Sequence, residues 1–359
     1  MLRVWRSRRT HRVRRPPRAI GLFVLSVLCV LPSTRLLGAG PRIATIEFFG
    51  HKGVDTAAIR AALPFHEGDE VSDRDTAKEE VREAVVRSIG RKATDVAGIC
   101  CASDGGVLLF IGIPGGSYKP FAYGPAPTGR ASVSNELEQL YDRLGEAIVA
   151  AVQKGGDAAE EDDSKGYALI KDPQARSIQL ALRRYAIRHE REVFRVLELS
   201  SDSRQRGIAS EALGYARQSA GQLLALTRAA RDPDENVRNN ATRALGVLAG
   251  SNERLARKIS PDLFIDMLSS GVWTDRNKAA GLLERLTTNR NPVVLARLRS
   301  VALDSLIEMT LWREANHAFD ARMLLGRVAG IPEKRLEELA WKGPPETIVE
   351  ALRGKRGGV

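Results

Sequence analysis

Cysteine is scarce: Cys29, Cys100 and Cys101 are the whole complement of this 359-residue chain, too few for the disulfide framework that staples small exported domains. Cys100 and Cys101 are adjacent and join only through a strained ring, so no structural disulfide is expected between them. Aromatic residues make up 5% of the chain. The five histidines (His11, His51, His66, His189, His317) are scattered, which argues against a histidine-based metal site. No G-x-S-x-G elbow, H-E-x-x-H, phosphate-binding loop or paired C-x-x-C occurs. The expectation is a protein with no catalytic residues, no cofactor and no metal. No apolar run reaches the ~20 residues that span a bilayer.

The formal net charge of +11 invites a nucleic-acid reading, but its location undoes it. Arg3, Arg6, Arg8, Arg9, Arg12, Arg14, Arg15, Arg18 and Arg35 all fall in residues 1–39, which hold no acidic residue. The rest of the chain is nearly neutral and lacks the basic footprint that grips phosphate backbones. Residues 1–39 read instead as an export signal: an arginine-rich start, an apolar run over 19–31 ended by Pro32, and a small-residue exit at Gly38-Ala39-Gly40. Cleavage after Ala39 is the expectation, with an uncleaved membrane anchor as the alternative. Either way the body lies outside the cytoplasm, most simply in a bacterial periplasm.

Residues 42–113 read as a small α+β unit. Ile43, Ile46, Phe48 and Phe49 make a strand ending at Gly50. Val54, Ile59, Ala62 and Leu63 make a short helix stopped by Pro64, and Glu67-Gly68-Asp69 a turn. A longer helix follows, capped by Ser72 or Asp73, with Val81, Val85, Val86 and Ile89 on one face and Gly90 as its stop. Residues 96–102 and 107–113 are two strands joined by the Ser103-Asp104-Gly105-Gly106 turn. The order βααββ, with Ile43-x-x-Ile46-x-Phe48-x-Gly50 and the Leu63…Glu67-Gly68-Asp69 exit, resembles the POTRA domain of envelope assembly and division proteins. That resemblance implies a protein-docking module whose exposed sheet edge accepts an extended peptide.

Residues 114–134 are a Pro/Gly linker carrying Tyr118, Phe121 and Tyr123, aromatics expected to pack back on a neighbouring domain. Residues 135–172 hold a helix to Lys154 and then the run Glu160-Glu161-Asp162-Asp163, expected as a solvated loop.

Beyond residue 173 the chain repeats itself. Ala209-x-x-Ala212-Leu213-Gly214, Ala241-x-x-Ala244-Leu245-Gly246, Ala279-x-x-Leu282-Leu283 and Ala321-x-x-Leu324-Leu325-Gly326 recur at intervals of about 30 to 40 residues, the length of a helical hairpin. Each is preceded by another apolar helix: Val193, Val196, Leu197; Leu223, Leu224, Leu226; Leu263, Phe264, Met267, Leu268 after a Ser260 cap; Val294, Leu298, Val301, Leu306. Ala, Ala and Leu at i, i+3 and i+4 let neighbouring helices approach closely, and one hairpin cannot bury that face alone. Asp232-Pro233-Asp234-Glu235-Asn236-Val237-Arg238-x-x-Ala241 resembles the bacterial HEAT-like repeat. The resemblance implies an all-α solenoid of about four hairpins over 173–345, followed by a tail over 346–359. It also implies that Asp232 and Arg238 bridge adjacent repeats. Ser200 and Ser270 stand at the aligned Asp positions of the first and third units, and Ala318 where the fourth unit's Arg belongs. Trp273 and Trp312 are expected in the inter-repeat core. Arg206, Ser210, Arg238 and Thr242 are the candidate protein-binding residues of the concave face, chosen by position on the second helices.

The expected function is that of a non-catalytic envelope adaptor that binds other proteins or extended peptides and no nucleic acid. Rival classes are a membrane-anchored structural protein and a lyase of the kind some HEAT-like families contain, against which the export signal and the missing basic groove count.

Overall fold

The computed structural model describes residues 42–71, 74–100, 102 and 105–354. The expected export signal, the Ser72 or Asp73 cap, Cys101 and the Ser103-Asp104 half of the hairpin turn lie outside the described residues. No helix among the described residues is long and apolar enough to cross a membrane.

The chain is mostly helical, with a small three-stranded sheet near its N-terminus. Strand β1 (Ile43–Phe49), helices α1 (Thr56–Ala62) and α2 (Arg74–Ile89), and strands β2 (Asp95–Cys100) and β3 (Val107–Gly112) follow in the βααββ order. The sheet order is β1-β3-β2. β1 is separated from β3 by α1, α2 and β2 and pairs with it parallel, whereas β2 and β3 share a short turn and pair antiparallel. Asp55 caps α1 by accepting from the amides of Ala57 and Ala58. One sheet face, with Ile43, Ile46, Phe48, Val96, Leu109 and Ile111, buries against Ile59 of α1 and Val81, Ala84 and Val85 of α2. Val86, expected on that face, is exposed, and Ala84 takes its place.

The other sheet face is also buried. Phe49, Ala97, Ile99, Leu108 and Phe110 join the helical core. The Phe110 ring lies 4.9 Å from the rings of both Trp273 and Trp312. These tryptophans are buried as expected, but their largest role is to floor the sheet.

Residues 114–134 form an extended strap across the helical body. Lys119 N donates to Ser269 O, Gly124 N to Arg231 O, and Ser201 N to Gly129 O, at 2.8, 2.6 and 2.8 Å. At Gly129 the two backbones come so close that a β-carbon would stand 2.5 Å from Leu199 O. After the strap come α3 (Asn135–Lys154), capped by Ser134, and a small hairpin of β4 (Glu161–Asp162) and β5 (Leu169–Ile170). The acidic run is therefore not a solvated loop: Glu161 is buried at the start of this hairpin.

Thirteen helices complete the described chain. They are α4 (Pro173–Arg188), α5 (Glu190–Leu199), α6 (Ser203–Gly214), α7 (Ala220–Ala229), α8 (Glu235–Ser251), α9 (Glu253–Ala256), α10 (Asp262–Met267), α11 (Trp273–Leu286), α12 (Pro292–Val301), α13 (Leu303–Thr310), α14 (Ala315–Ala329), α15 (Glu333–Lys342) and α16 (Pro345–Gly354). The helices bearing the Ala/Leu pattern pack in sequence, α6 on α8, α8 on α11, and α11 on α14. Ala209, Leu213, Ala241, Leu245, Ala279, Leu283, Ala321 and Leu325 are all fully buried. Three expectations change in detail. The helix expected from Val294 to Leu306 is two, broken at Ala302. Ser260 does not cap α10, which begins at Asp262 after Pro261. The expected tail contains α16, whose Ile348 and Leu352 are buried.

Candidate functional site

The two edges of the sheet have different fates. Along β1 every second residue turns its backbone away from β3, and other segments occupy those groups. Ile46 N donates to Glu67 Oε1 (2.9 Å), while Ile46 O accepts from Arg60 Nη2 (2.7 Å) and Arg313 Nη2 (3.1 Å). Phe48 O accepts from Trp312 Nε1 (3.4 Å), and Gly50 N donates to Glu308 Oε2 (2.8 Å). The Glu67-Gly68-Asp69 turn completes the seal, with Gly68 N donating to Ile43 O and Ile43 N to Asp69 O. The β1 edge is closed by side chains from both the turn and α13's exit.

Hydrogen bonds from Arg313, outweighing burial, with Ile46 N and Arg60 adding to them, hold the Glu67 carboxyl down to about 2. A depressed carboxyl pKa stabilises the fold fully above the ordinary value and loses that contribution as pH falls through the depressed one. The unfolding midpoint of the unaltered chain is therefore expected to drop more between pH 4.5 and 2 than that of Glu67→Gln. Urea melts across that window, in which both chains fell in parallel, would show that the clamp contributes nothing.

β2 has no strand on its outer side among the described residues. Its beginning is pinned to the helical body, because the half-buried Asp95 accepts from Trp273 N through Oδ2 (2.9 Å). Burial raises the Asp95 carboxyl pKa. Gly98 and Cys100 are half-buried. Cys100 is disulfide-bonded.

On the helical body the four candidate binding residues are interior. Arg206, Ser210, Arg238 and Thr242 are each 2% exposed or less. Their physical role is internal. Arg206 forms a fork with Asp232 (2.7 and 2.8 Å), Arg238 with Asp275 (2.7 and 3.1 Å), and Arg276 reaches Glu308 (3.5 Å). Each arginine also bonds the carbonyl six residues before it, on Ser200, Asp232 and Ser270 respectively. This backbone bond staples the turn ahead of each pattern helix. The serines at 200 and 270 thus cost the staple nothing, since it needs only their carbonyls. In the fourth unit, where Ala318 stands at the arginine's position, Arg322 one turn later donates to Trp312 O (2.8 Å) and Thr310 O (3.0 Å). Ser210 Oγ donates to Val237 O. Tyr123 of the strap lies 4.4 Å over the Arg238 guanidinium and shields this row.

A second group of interior charges lies under the β4–β5 hairpin. Arg243 of α8 pairs with Glu161 of β4 and with Glu211 of α6 (3.3 Å). Burial opposes the Arg243 charge, but Glu161 and Glu211 outweigh it and raise its pKa. Lys278 of α11 is brought down to about 7 by burial and by Arg243. Nearby His317 is lowered to about 3 by burial and by Lys278. Asp163 pairs with Arg285 of α11 (2.6 Å). Sequence alone gives no sign of this cluster, because its members come from separate elements.

At the junction of the two halves, a cleft of about 280 Å3 is lined by Lys52, Lys119, Arg299, Ser117, Ser269 and Asp304 among others. Two of its cations are already engaged, Lys52 by Asp304 and Lys119 by Val301 O. No group of three or more His, Cys, Asp or Glu among the described residues is placed to hold a metal ion. No protein-family model matches the chain, and no curated protein is significantly similar to it in sequence.

Proposed function

We propose that the protein is a non-catalytic adaptor of the cell envelope, in which a POTRA-like module docks an extended segment of a partner on β2. The helical body, read as a HEAT-like solenoid, backs and orients that module. The observation that carries this reading is the asymmetry of the sheet: β1's outer groups are occupied, and among the described residues no strand lies on β2's outer side. An unpaired edge presents a row of backbone donors and acceptors that an extended peptide satisfies with little demand on its side chains. The buried state of Arg206, Ser210, Arg238 and Thr242 leaves the edge, not those residues, as the primary docking surface. The arginine-rich start and the apolar run over 19–31 support an address outside the cytoplasm. N-terminal sequencing of exported chain separates a free adaptor, starting near Gly40, from a membrane-anchored one.

Proline scanning of the full chain tests the edge. Consecutive strand residues alternate in the direction of their amides, so of Ala97→Pro and Gly98→Pro one removes an outward N–H and the other a ladder bond. Extended hexapeptides selected from a random display library against the unaltered chain should lose at least about tenfold in affinity, about 1.4 kcal/mol, to the outward-facing proline. That variant should keep its melting temperature. Equal peptide affinity in both variants and the unaltered chain would remove β2 as the docking edge.

A further inference from the structure

The hairpin over the helical body has an arm with unusual chemistry. Residues 155–172 join α3 to α4 and hold the β4–β5 hairpin. The later part is anchored by apolar burial, with Ala168, Leu169 and Ile170 in the core. The earlier part, between Gly155-Gly156 and Gly166, is held differently. Those three glycines have φ of +69°, +60° and +82°, so left-handed backbone brackets the arm at both ends. Between them the arm meets the helices through carboxylates. Glu161 bonds Arg243, Asp163 bonds Arg285, and Asp162 approaches Arg176 of α4 at 4.0 Å.

Geometry explains the division of labour. In an extended segment alternate residues share a face, so Glu161 and Asp163 both turn toward α8 and α11 while Asp162 turns toward α4. Beneath them each pattern helix adds a charged side chain to one row: Glu211 from α6, Arg243 from α8, Lys278 and Arg285 from α11, and the partly buried Asp320 from α14. Cations at the centre of the row face the arm's acids. The fit is incomplete, because Glu161 Oε2 and Arg243 Nε are buried without a hydrogen-bond partner. Buried ion pairs add little stability compared with apolar residues of similar volume, and unsatisfied polar atoms subtract from it. A permanent cover would be expected to be apolar.

We infer that the arm is an internal pseudo-ligand, and that the row beneath it is a binding site for an acidic extended segment of a partner protein carrying two carboxylates in a Glu-x-Asp spacing. The arm and the partner segment are alternatives for the same cations. This extends the reading of the helical body as a protein-binding scaffold and rests on that reading, but not on the β2 edge. Loss of acidic-peptide binding would leave peptide capture at β2 untouched, so the two fail separately.

The test uses the full chain with Glu161→Gln and Asp163→Asn, which keep the arm's shape and remove the two charges that meet Arg243 and Arg285. The probe is a dye-labelled, end-capped peptide with the sequence of residues 158–165, followed by fluorescence anisotropy. The doubly substituted chain should bind it, and the unaltered chain, whose own arm occupies the row, should bind at least about tenfold more weakly. Binding should weaken by about tenfold or more between about 0.02 M and about 0.5 M salt. A peptide with Gln and Asn in place of Glu and Asp should not bind. A substituted chain with unchanged circular dichroism that ignores the peptide, or equal binding by both chains, overturns the proposal. If the substitutions prevent folding, hydrogen exchange on the unaltered chain decides. The arm's amides should then exchange faster at the higher salt while α8 stays protected, and exchange that does not respond to salt overturns it.

Discussion

Asp275→Ala is expected to lower the unfolding free energy by about 3–5 kcal/mol, the cost of leaving a buried charge without its partner. Arg238 is 1% exposed and Asp275 is also buried, so water cannot replace the lost fork. Ser270 Oγ, which donates to Asp275 Oδ2 at 2.7 Å, loses its acceptor at the same time and keeps only the bond from Val272 N. The Arg238 staple to Asp232 O and Pro233 O survives, so the damage should fall on the contact between α8 and α11 and not on the turn. Urea unfolding of the single variant and of Arg238→Met/Asp275→Leu separates two explanations. Recovery of most of the loss in the double variant identifies the uncompensated charge as the cause. A double variant as unstable as the single one would mean that the fork itself holds the helices together.

Glu308→Ala should cost about 3 kcal/mol or more and should also split the unfolding transition. One carboxylate serves four groups here. Oε2 accepts from Gly50 N (2.8 Å) and meets Arg276 Nη1 (3.5 Å), while Oε1 accepts from Ser117 Oγ (2.5 Å) and lies 3.7 Å from His51 Nε2. These groups belong to the end of β1, the strap and α11, so Glu308 of α13 ties the α/β module to the helical body. Arg276 is fully buried, and burial lowers its pKa to about 10 despite Glu308. With the carboxylate gone, the near-ultraviolet signal of Trp273 and Trp312 should melt before the far-ultraviolet helix signal. Coincident melts would show that apolar packing of the sheet on these tryptophans is enough to keep the halves coupled.

The small module was readable because its signals are local. Pro64 after α1, Gly90 after α2 and the apolar run of β1 each act within a few residues. The second burial of the sheet was not read, although a cue for it stood in the strand itself. Val107–Gly112 holds no charged residue, the mark of a strand covered on both faces. The Ala and Leu positions of the pattern helices found their packing seam for the same local reason. What the spacing cannot reveal is what lies on the rest of a helix. Arg206 and Arg238 were assigned to an open face, yet the strap and Tyr123 cover that side from a distant part of the chain. Likewise the acidic run at 160–163 resembles a solvated loop until Arg243 and Arg285, far along the sequence, are brought beneath it. Arg322 was the missed local clue, a cation one helical turn beyond Ala318.

The two-sided sheet also sets an order of assembly. Synthesis proceeds from the N-terminus, so the α/β module is made before the helical body, with Phe49, Leu108 and Phe110 facing nothing. Their cover arrives with Trp273 and Trp312, and the last seal on β1 joins Gly50 to Glu308, 258 residues later. The strap meets the same delay, since it runs against the order in which the helices appear, touching Ser269 before Arg231 and Arg231 before Ser201. Contacts so distant in sequence form slowly, and an apolar face left waiting attracts other chains. The α/β module is thus made before the helices that finish it, and until α13 is in place its apolar sheet face is open to other chains.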